Sequence, residues 1–389
     1  MSNNRHLPPN HLLHGLRIAI VGGGPAGLTL ARLLQQQAID VVVYERDSAA
    51  DARTQGGSLD LHEDSGQRAL AAAGLGEAFQ RISRPDGQHS KIFSQQGELR
   101  GELNAEDESG SRPEIDRGAL RALLLDSLNP GTVRWGHRLI GATRGEGQVQ
   151  LSFEQTTVGA DLVLACDGGW SACRALVSKV TRPTYSGVTF VQTLVADVDH
   201  RSPDIATLVG PGNILALGNN RGLLAQRNGD GSVRIYVALR VPEEWSSTID
   251  FSAAQHARKR LLQEFQGWSP RLQEMLKSSD DVFQPWPLYH YPVKQDWIPR
   301  SDITLLGDAA HLMPPFTGKG ANYAMLDALE LTEALTGHHH LSLTEALEQY
   351  ESAMLKRMET EIAETLHSQN VMFTEDGPDT LINVLNQAG

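Results

Sequence analysis

The run Ile18-Ala19-Ile20-Val21-Gly22-Gly23-Gly24-Pro25-Ala26-Gly27 constrains this chain more than any other stretch. Its apolar start, Ile18 to Val21, has the β-branched content of a buried parallel strand. Gly22, Gly24 and Gly27 then fit G-x-G-x-x-G. The first glycine permits a tight turn, the second lets backbone approach a pyrophosphate, and the third lets helix pack closely on strand. From Pro25 onward, Leu28, Ala31 and Leu34 recur at helical spacing, so a helix starts here and turns its N-terminal N–H groups toward an anion. A second strand, Val41 to Tyr44, ends at Glu45, eighteen residues after Gly27, where a carboxylate can accept from ribose hydroxyls. The pattern predicts a dinucleotide site and leaves the dinucleotide open.

Bulk properties narrow the setting. A chain of 389 residues, 40% hydrophobic and 21% charged, can build two domains, or one large domain with an insertion. A net charge of -13 disfavours nucleic acid and anionic membrane as partners. No apolar run has the length of a membrane span. The polar first fifteen residues lack a signal-peptide core, so a loose leader and a cytoplasmic protein are expected. Cys166 and Cys173 match no common metal spacing and read as small buried residues. No metal site is expected, and His338, His339 and His340 read as a solvated linker.

Past the first βαβ unit, the stretch from Asp51 to His62 carries Gly56-Gly57 in a polar setting. It is either a surface connection or a loop that approaches a flat ligand, with Arg53 near negative groups. A helix through Ala69, Leu70 and Ala73 stops at Gly74. A polar hairpin is expected over 88–104, turning at Gln96-Gly97. Asp116 is placed to cap a helix through Leu120, Leu123 and Leu124, with Arg117 and Arg121 on one face. Short strands follow at Val133 to Trp135 and Val149 to Phe153, and Leu162 to Ala165 is a buried strand ending at Asp167-Gly168. Strand-like runs at Thr193 to Val198, Ile214 to Leu217 and Val233 to Val241 predict an antiparallel sheet, interrupted by one helix near 253–265. Ile303 to Leu306 is another buried strand, ending at Gly307-Asp308. A helix starts near Gly320, and a last long helix opens with the capping box Ser342-Leu343-Thr344-Glu345. Its stripe Leu347, Tyr350, Met354, Met358, Ile362 reads as core packing.

Two further motifs carry a family likeness. Asp167-Gly168-Gly169-Trp170-Ser171-Ala172-Cys173-Arg174 fits D-G-x-x-S-x-x-R, and Gly307 to Asn322 fits G-D-A-A-H-x-x-x-P-x-x-G-x-G-x-N, with Asp327-Ala328 continuing it. With the N-terminal loop, these resemble the group A FAD-dependent monooxygenases, the aromatic hydroxylase family. Flavin-side segments, including Arg53 with Gly56 to His62, and Pro113-Glu114-Ile115 with Arg117, look closest to the flavin-dependent tetracycline monooxygenases. The resemblance implies an α/β fold: a Rossmann-like FAD-binding domain, an inserted antiparallel-sheet substrate domain, and a long C-terminal helix. The implied division is a leader at 1–15, an FAD-binding domain at 16–175 and 292–340, a sheet domain at 176–291, and a bridging helix and tail at 341–389. It further implies bound FAD, transient NAD(P)H, O2 and a small-molecule substrate in a monomer. In the family NAD(P)H reduces the flavin, O2 forms a C4a-hydroperoxide, and oxygen passes to an aromatic or polycyclic substrate.

By resemblance, Gly22, Gly24, Pro25, Ala26 and Gly27 hold the pyrophosphate, Glu45 and Arg46 the adenosine side, and Arg53, Gly57, Asp60 and Arg117 further parts of FAD. Asp308 takes the ribityl or pyrophosphate oxygens. Pro315, Gly318, Gly320, Ala321 and Asn322 line the isoalloxazine, and Asp167 belongs between flavin and NAD(P)H, with a plain Asp turn as the alternative. The flavin carries the chemistry, so no catalytic side chain is assigned. Gln192, Arg234, Tyr236 and Phe316 are candidate substrate contacts. Met372, with Phe373, is read as either a flexible apolar lid or ordinary packing. In a rough alignment Val195, Ile214 and Arg234 occupy the antibiotic-contacting positions without the group's side chains, which argues against tetracycline. The alternatives are a flavin dehydrogenase or oxidase without oxygen insertion, and a flavin-binding sensor.

Overall fold

The structure, a computed structural model, describes residues 3–53, 56–103, 111–145, 147–337 and 341–388. The histidine run 338–340, residues 54–55 and the end of the expected hairpin at 104 lie outside the described residues. Two sheets organise the chain, and the long C-terminal helix ties them together.

The first sheet is parallel, ordered Ile303–Leu305, Leu162–Ala165, Ile18–Val21, Val41–Tyr44, Val133–Arg134. All four residues of Ile18–Val21 and of Leu162–Ala165 are buried, as strands covered on both faces must be. Val21 pairs with both Ala165 and Tyr44, and Ala165 pairs with Leu305. Four strands therefore end level with one another. The turns read from sequence as separate motifs (Gly22, Glu45, Asp167 and Gly307-Asp308) emerge along one edge, where open α/β sheets bind ligands. The helix Pro25–Gln36 packs on this sheet and against the helix Gly320–Thr336.

The second sheet has seven strands, ordered Gln284–His290, Thr184–Val195, Val233–Arg240, Arg221–Arg227, Asn213–Gly218, Ser90–Ser94, Leu99–Leu103. It reaches beyond the expected 176–291 segment, because the hairpin turning at Gly97 adds two strands to it. Ser90–Ser94 joins in parallel with Asn213–Gly218, and the other neighbours are antiparallel. Alternation splits its faces. Val191, Val195, Ile214, Ala216, Leu223, Ile235 and Val237 pack on one side against Ile205, Leu261, Leu272 and Met275. Those partners lie on three helices, Pro203–Val209, Ala254–Glu264 and Pro270–Lys277, where one was expected. Ser202-Pro203 and Ser269-Pro270 are start signals with proline at the first helical position. The expected strand through Val198 stops at Val195, because Asp197 turns the chain at φ 46 and Val198 opens a short helix.

The helix Leu343–Met372 begins as expected, with the Ser342 side chain accepting from the Glu345 N–H. The reciprocal bond differs: the Glu345 carboxylate accepts from Leu341 N–H, not from Ser342. Its stripe of Leu347, Tyr350, Met354, Met358 and Ile362 is core. Polar bonds fix it along its length. Tyr350 donates to the Leu305 carbonyl at 3.1 Å, Thr304 to Glu351 at 2.7 Å, Thr365 to the Pro314 carbonyl at 2.8 Å, and Gln369 to the Ser186 carbonyl at 2.8 Å. One helix thus spans the parallel sheet, the proline loop and the large sheet.

Burial pushes the Glu351 carboxyl from 4.5 up to about 7, only partly opposed by the Thr304 hydrogen bond and reinforced by Glu348. A carboxyl whose pKa rises on folding contributes stability below its unfolded value, and that contribution is lost as pH rises through about 7. Glu351→Gln, compared with wild type in urea unfolding, is therefore expected to become relatively more stabilising by about 2–3 kcal/mol between pH 4.5 and pH 8. A pH-independent difference contradicts the assignment.

Candidate active site

The glycine loop fits its expected geometry. Gly22 has φ +104, and a Cβ there would sit inside the van der Waals shell of the Cys166 carbonyl oxygen; one on Gly27 would collide with the Gly22 carbonyl. Gly24, at the N-cap, differs: a Cβ there would meet nothing within 4 Å. The space before the helix is open, Pro25 and the buried Ala26 follow, and no side chain caps the helix. Glu45 reaches back to this loop. Its carboxylate accepts from Gly23 N–H at 2.5 Å and Asp47 N–H at 2.9 Å. Arg46 is exposed beside it.

Arg53 and Arg121 both donate to the buried Asp47, at 3.0 and 2.9 Å. The two arginines expected on one face part company here, for Arg121 is buried while Arg117 is exposed and its charge acts on Asp308 and Tyr236. Asp116 stands at the N-cap but does not cap. Its carboxylate accepts instead from Arg84 at 2.6 Å and from Gly229 N–H at 3.0 Å.

Asp308 is exposed at the end of its strand yet surrounded by enough protein to be desolvated. That desolvation raises its pKa, against the lowering pull of His311 and Arg117. The turn beneath it is held from below. Asp327 accepts from Gly307 N–H at 3.0 Å and lies 2.6 Å from His311 Nε2 through the same oxygen, while Arg357 donates to its other oxygen at 2.7 Å. Burial alone would raise the Asp327 pKa, but His311, Arg357 and Gly307 N–H together hold it below the usual range. Sequence reasoning passed over Arg357; its signal was a cation beside the apolar stripe Met354–Met358.

Asp167 forms the Asp turn, accepting from Ala172 N–H at 2.9 Å, while its other oxygen is buried without a hydrogen-bond partner among the described residues. Burial raises its pKa against these bonds. Arg174, from the same motif, is fully buried and donates to the carbonyls of Ala309 and Ala310 at 2.8 and 2.9 Å, with its guanidinium 3.5 Å from the Tyr291 ring centre. The motif thus braces the short helix Asp308–His311.

At the far end Ser58–Asp60 pairs with Glu114–Asp116. Asn322, buried at the start of Gly320–Thr336, donates to the Asp60 carbonyl and accepts from His62 N–H, each at 2.8 Å. Gly318 has φ +71, and a Cβ there would stand 2.9 Å from the Asp60 carboxylate. Gly320 and Ala321 open that helix, which has no side-chain cap, and Pro315 is exposed beside it. Glu114 accepts from Ser58 and, at 3.1 Å, from Gln226 of the large sheet; burial pushes it up to about 7 despite the Ser58 bond.

Above this end lies the second face of the large sheet. Gln192 pairs with Tyr236, and Arg234 with Gln226 and Leu194. Phe316 packs edge-on against Phe190 at 5.7 Å, and Phe190 lies 5.6 Å from Tyr236. Gly57 is buried against Tyr236 and Arg234. Val195 and Ile214 are on the opposite face, within the helix-packed core. The rough alignment that set them among substrate contacts is corrected by the strand period, which turns neighbours to opposite sides. Met372 and Phe373 are packed with Phe190, Leu217, Ala238 and Leu288, so in this structure they are core and not a loose lid. A cavity of about 750 Å³ lined by Arg84, Asp199, Arg227 and Gly231 shares none of the expected site residues.

The strand ends of the parallel sheet are where an open α/β sheet takes an extended dinucleotide. Glycines stand where side chains would collide, open space faces an uncapped helix, and an acid stands at a strand end. Gly24→Val should therefore leave the FAD-free fold within about 1 kcal/mol of wild type while weakening FAD binding about tenfold or more. Gly27→Val should instead destabilise the fold by about 3 kcal/mol. Equal FAD affinity for Gly24→Val and wild type, by flavin fluorescence titration, contradicts the placement.

Residues 16–365 match the family described as FAD binding domain. A monooxygenase of Emericella nidulans, asqM, is 30% identical over 84% of this chain and 85% of its own length. The 3-amino-4-hydroxybenzoate 2-monooxygenase PtnB3 of Streptomyces platensis is 30% identical over 94% and 90%. Among solved structures, Klebsiella pneumoniae HpxO complexed with FAD and uric acid superposes with a TM-score of 0.77 at 22% identity, over 96% of this chain and 92% of that one. The tetracycline destructase Tet(55) superposes with a TM-score of 0.74 at 18% identity, over 98% and 96%. Among the described residues no helix is long and apolar enough to cross a membrane. The chain belongs to the FAD-binding domain family and is an FAD-dependent monooxygenase.

Proposed function

We propose that this enzyme uses NAD(P)H and O2 to hydroxylate an aromatic or polycyclic small molecule seated between Phe316 and the sheet face bearing Gln192, Arg234 and Tyr236. The observation that carries the reading is the strand period itself. It sends these polar side chains and the aromatic Phe190 toward Phe316, while the helix-packed face is mainly Val, Ile, Leu and Ala, with the buried Thr189 and Thr193 among them. The relatives' names point the same way, to hydroxybenzoate and uric acid, both small planar molecules. With Val195 and Ile214 facing away, the argument against tetracycline loses two of its three residues, and tetracycline remains a test substrate.

FAD, when bound, supplies the redox chemistry and the activation of oxygen. The chain's own residues bind, orient and exclude water. Gly22 to Gly27 take the pyrophosphate at the helix start, and Glu45 and Arg46 take the adenosine side. Arg53, Arg117 and Asp308 hold the middle of the cofactor, and Gly57 and Asp60 border its ring end. Pro315, Gly318, Gly320, Ala321 and Asn322 would bring backbone to the ring end, where the uncapped helix start would offer N–H groups and a positive dipole end. Asp167 would act through its turn, which holds the chain at the end of the strand Leu162–Ala165. Phe316, Phe190 and Met372 make the substrate wall apolar and dry.

Asp308→Ala should lower FAD affinity roughly ten- to hundredfold, because an acceptor for cofactor hydroxyls is removed; unchanged occupancy refutes that role. The reaction is tested by incubating the yellow protein with NADPH or NADH, 18O2 and candidate aromatics, tetracycline included. Accelerated NAD(P)H oxidation with one labelled oxygen in the product is expected. Turnover to unlabelled product contradicts oxygen insertion.

A further inference from the structure

Five carboxylates are buried among the described residues: Glu45, Asp47, Glu114, Asp327 and Glu351. Asp47 meets two arginines, Asp327 meets His311 and Arg357, and Glu45 accepts two backbone N–H groups. Glu351 belongs to the long helix, bound by Thr304. Glu114, 4% exposed, stands where two parts of the site join. One of its oxygens accepts from the Ser58 hydroxyl on the paired strand, the other from the Gln226 amide of the large sheet at 3.1 Å. Gln226 in turn accepts from the Ser58 N–H at 3.4 Å. Among the described residues no cation bonds Glu114. Arg84, whose backbone exchanges hydrogen bonds with that of Glu114, directs its guanidinium to Asp116 at 2.6 Å, the Ser58 hydroxyl at 3.0 Å and the Arg227 carbonyl at 3.0 Å.

A carboxylate taken out of water needs a cation or several strong donors, and two neutral side-chain donors offset only part of the cost. The surroundings add little. Asp60 and Asp116 on the ladder and Asp86 on the turn are like charges, and Arg84 is paired with Asp116. Tyr236 and Arg234 lie on the next strand of the large sheet, across from Leu224 and Gln226, without bonding Glu114. Burial accordingly pushes the Glu114 carboxyl up to about 7, with Asp60 adding to the rise and Ser58, Arg84 and Gln226 opposing it. A neutral acid suits the same place, because its O–H can donate to the Ser58 oxygen while a second lone pair there accepts from Arg84. The ionised group is better served by water, and water is close. Gly87, where a Cβ would stand 2.7 Å from the Glu114 Cγ, and Arg84 both line the cavity of about 750 Å³.

We propose that Glu114 is a positioning residue that clasps the ladder of Ser58–Asp60 and Glu114–Asp116 to the large sheet while protonated and releases it on ionising, so that pH sets how firmly the wall beside the flavin ring is held. The proposal rests on the reading that Gly57 and Asp60 border the ring end of the cofactor. A carboxyl whose pKa is higher in the closed seam than its ordinary 4.5 favours closure at low pH, and that preference is lost as pH rises through about 7. Neutral and alkaline solution therefore loosens the seam, and with it the hold on the cofactor.

The test compares wild type, Glu114→Gln and Ser58→Ala. Hydrogen–deuterium exchange of residues 57–60 and 114–116 in the FAD-free protein, corrected for the intrinsic pH dependence of exchange, reads the seam directly. Between about pH 5 and pH 8 wild type should lose about tenfold or more of its protection, while Glu114→Gln, neutral throughout, should keep its own. At the upper pH the variant should be the better protected of the two, the reverse of what a carboxylate needed for structure would give. Ser58→Ala removes a donor to the ionised form, so its loss of protection should extend to higher pH. FAD affinity, by flavin fluorescence titration, should fall over the same range in wild type and hold in Glu114→Gln. Protection that falls equally in wild type and Glu114→Gln, or a variant less protected than wild type at the upper pH, overturns the proposal. A step in exchange with FAD affinity unmoved upholds the clasp and removes Gly57 and Asp60 from the cofactor's ring end. FAD affinity that follows pH without a step in exchange sinks the clasp and leaves the ring-end reading standing.

Discussion

The Asp327 carboxylate is the point on which the arrangement depends. It is buried on the helix Gly320–Thr336, accepts the Gly307 N–H from the end of a parallel strand, and meets His311 and the Arg357 of the long helix. Taking such a carboxylate out of water costs several kcal/mol, and two cationic or polarised partners with a backbone donor offset that cost. Three successive elements of the chain's last third are fixed by one group. The turn they fix is the one that presents Asp308 to the groove. Arg174 braces the same short helix from the other side, through the Ala309 and Ala310 carbonyls.

The second constraint is the period of the large sheet. One face buries Val, Ile and Leu against three helices, and the other meets Phe316, Met372 and Phe373 while carrying Gln192, Arg234 and Tyr236. A one-residue shift in register would exchange these sets. The glycine pair at 56–57 lets a loop lie on the polar end of that face, and Asn322 ties the following strand to the helix that opens at Gly320. Cofactor groove and substrate wall therefore meet along a seam made of backbone, where neither tolerates much side-chain volume.

The strands, glycine turns and strand-end acids of the parallel sheet were legible in the sequence because their signals are local. Glycines at fixed offsets, β-branched runs and acids at strand ends each carry a mechanism of their own, and the parallel register aligns them. What was not legible arises from distance. Arg357 and Asp327 are thirty positions apart, Asp47 collects arginines from two segments, and Glu114 joins two sheets. Within the large sheet the errors were of phase. Val195 and Ile214 were set one residue off the pocket face, and the strand at Arg221–Arg227 has too little alternation to announce itself. The two helices passed over were readable from their Ser-Pro starts. Asp116 shows the opposite failure: the cap position was right, but a cation and a backbone N–H from elsewhere took its side chain.

In the proposed arrangement the cofactor runs from Gly22–Gly27 past Asp308 to Gly318–Asn322, with its ring end beneath the polar face of the large sheet. A crystal structure of the FAD-loaded enzyme tests it most directly. The expected density has the pyrophosphate at the start of Pro25–Gln36, a ribityl oxygen on Asp308, and the flavin ring between Gly318–Asn322 and Gly56–Asp60, with Phe316 at its substrate side. A flavin ring bound outside that seam, or an Asp308 carboxylate without cofactor contact, would contradict it.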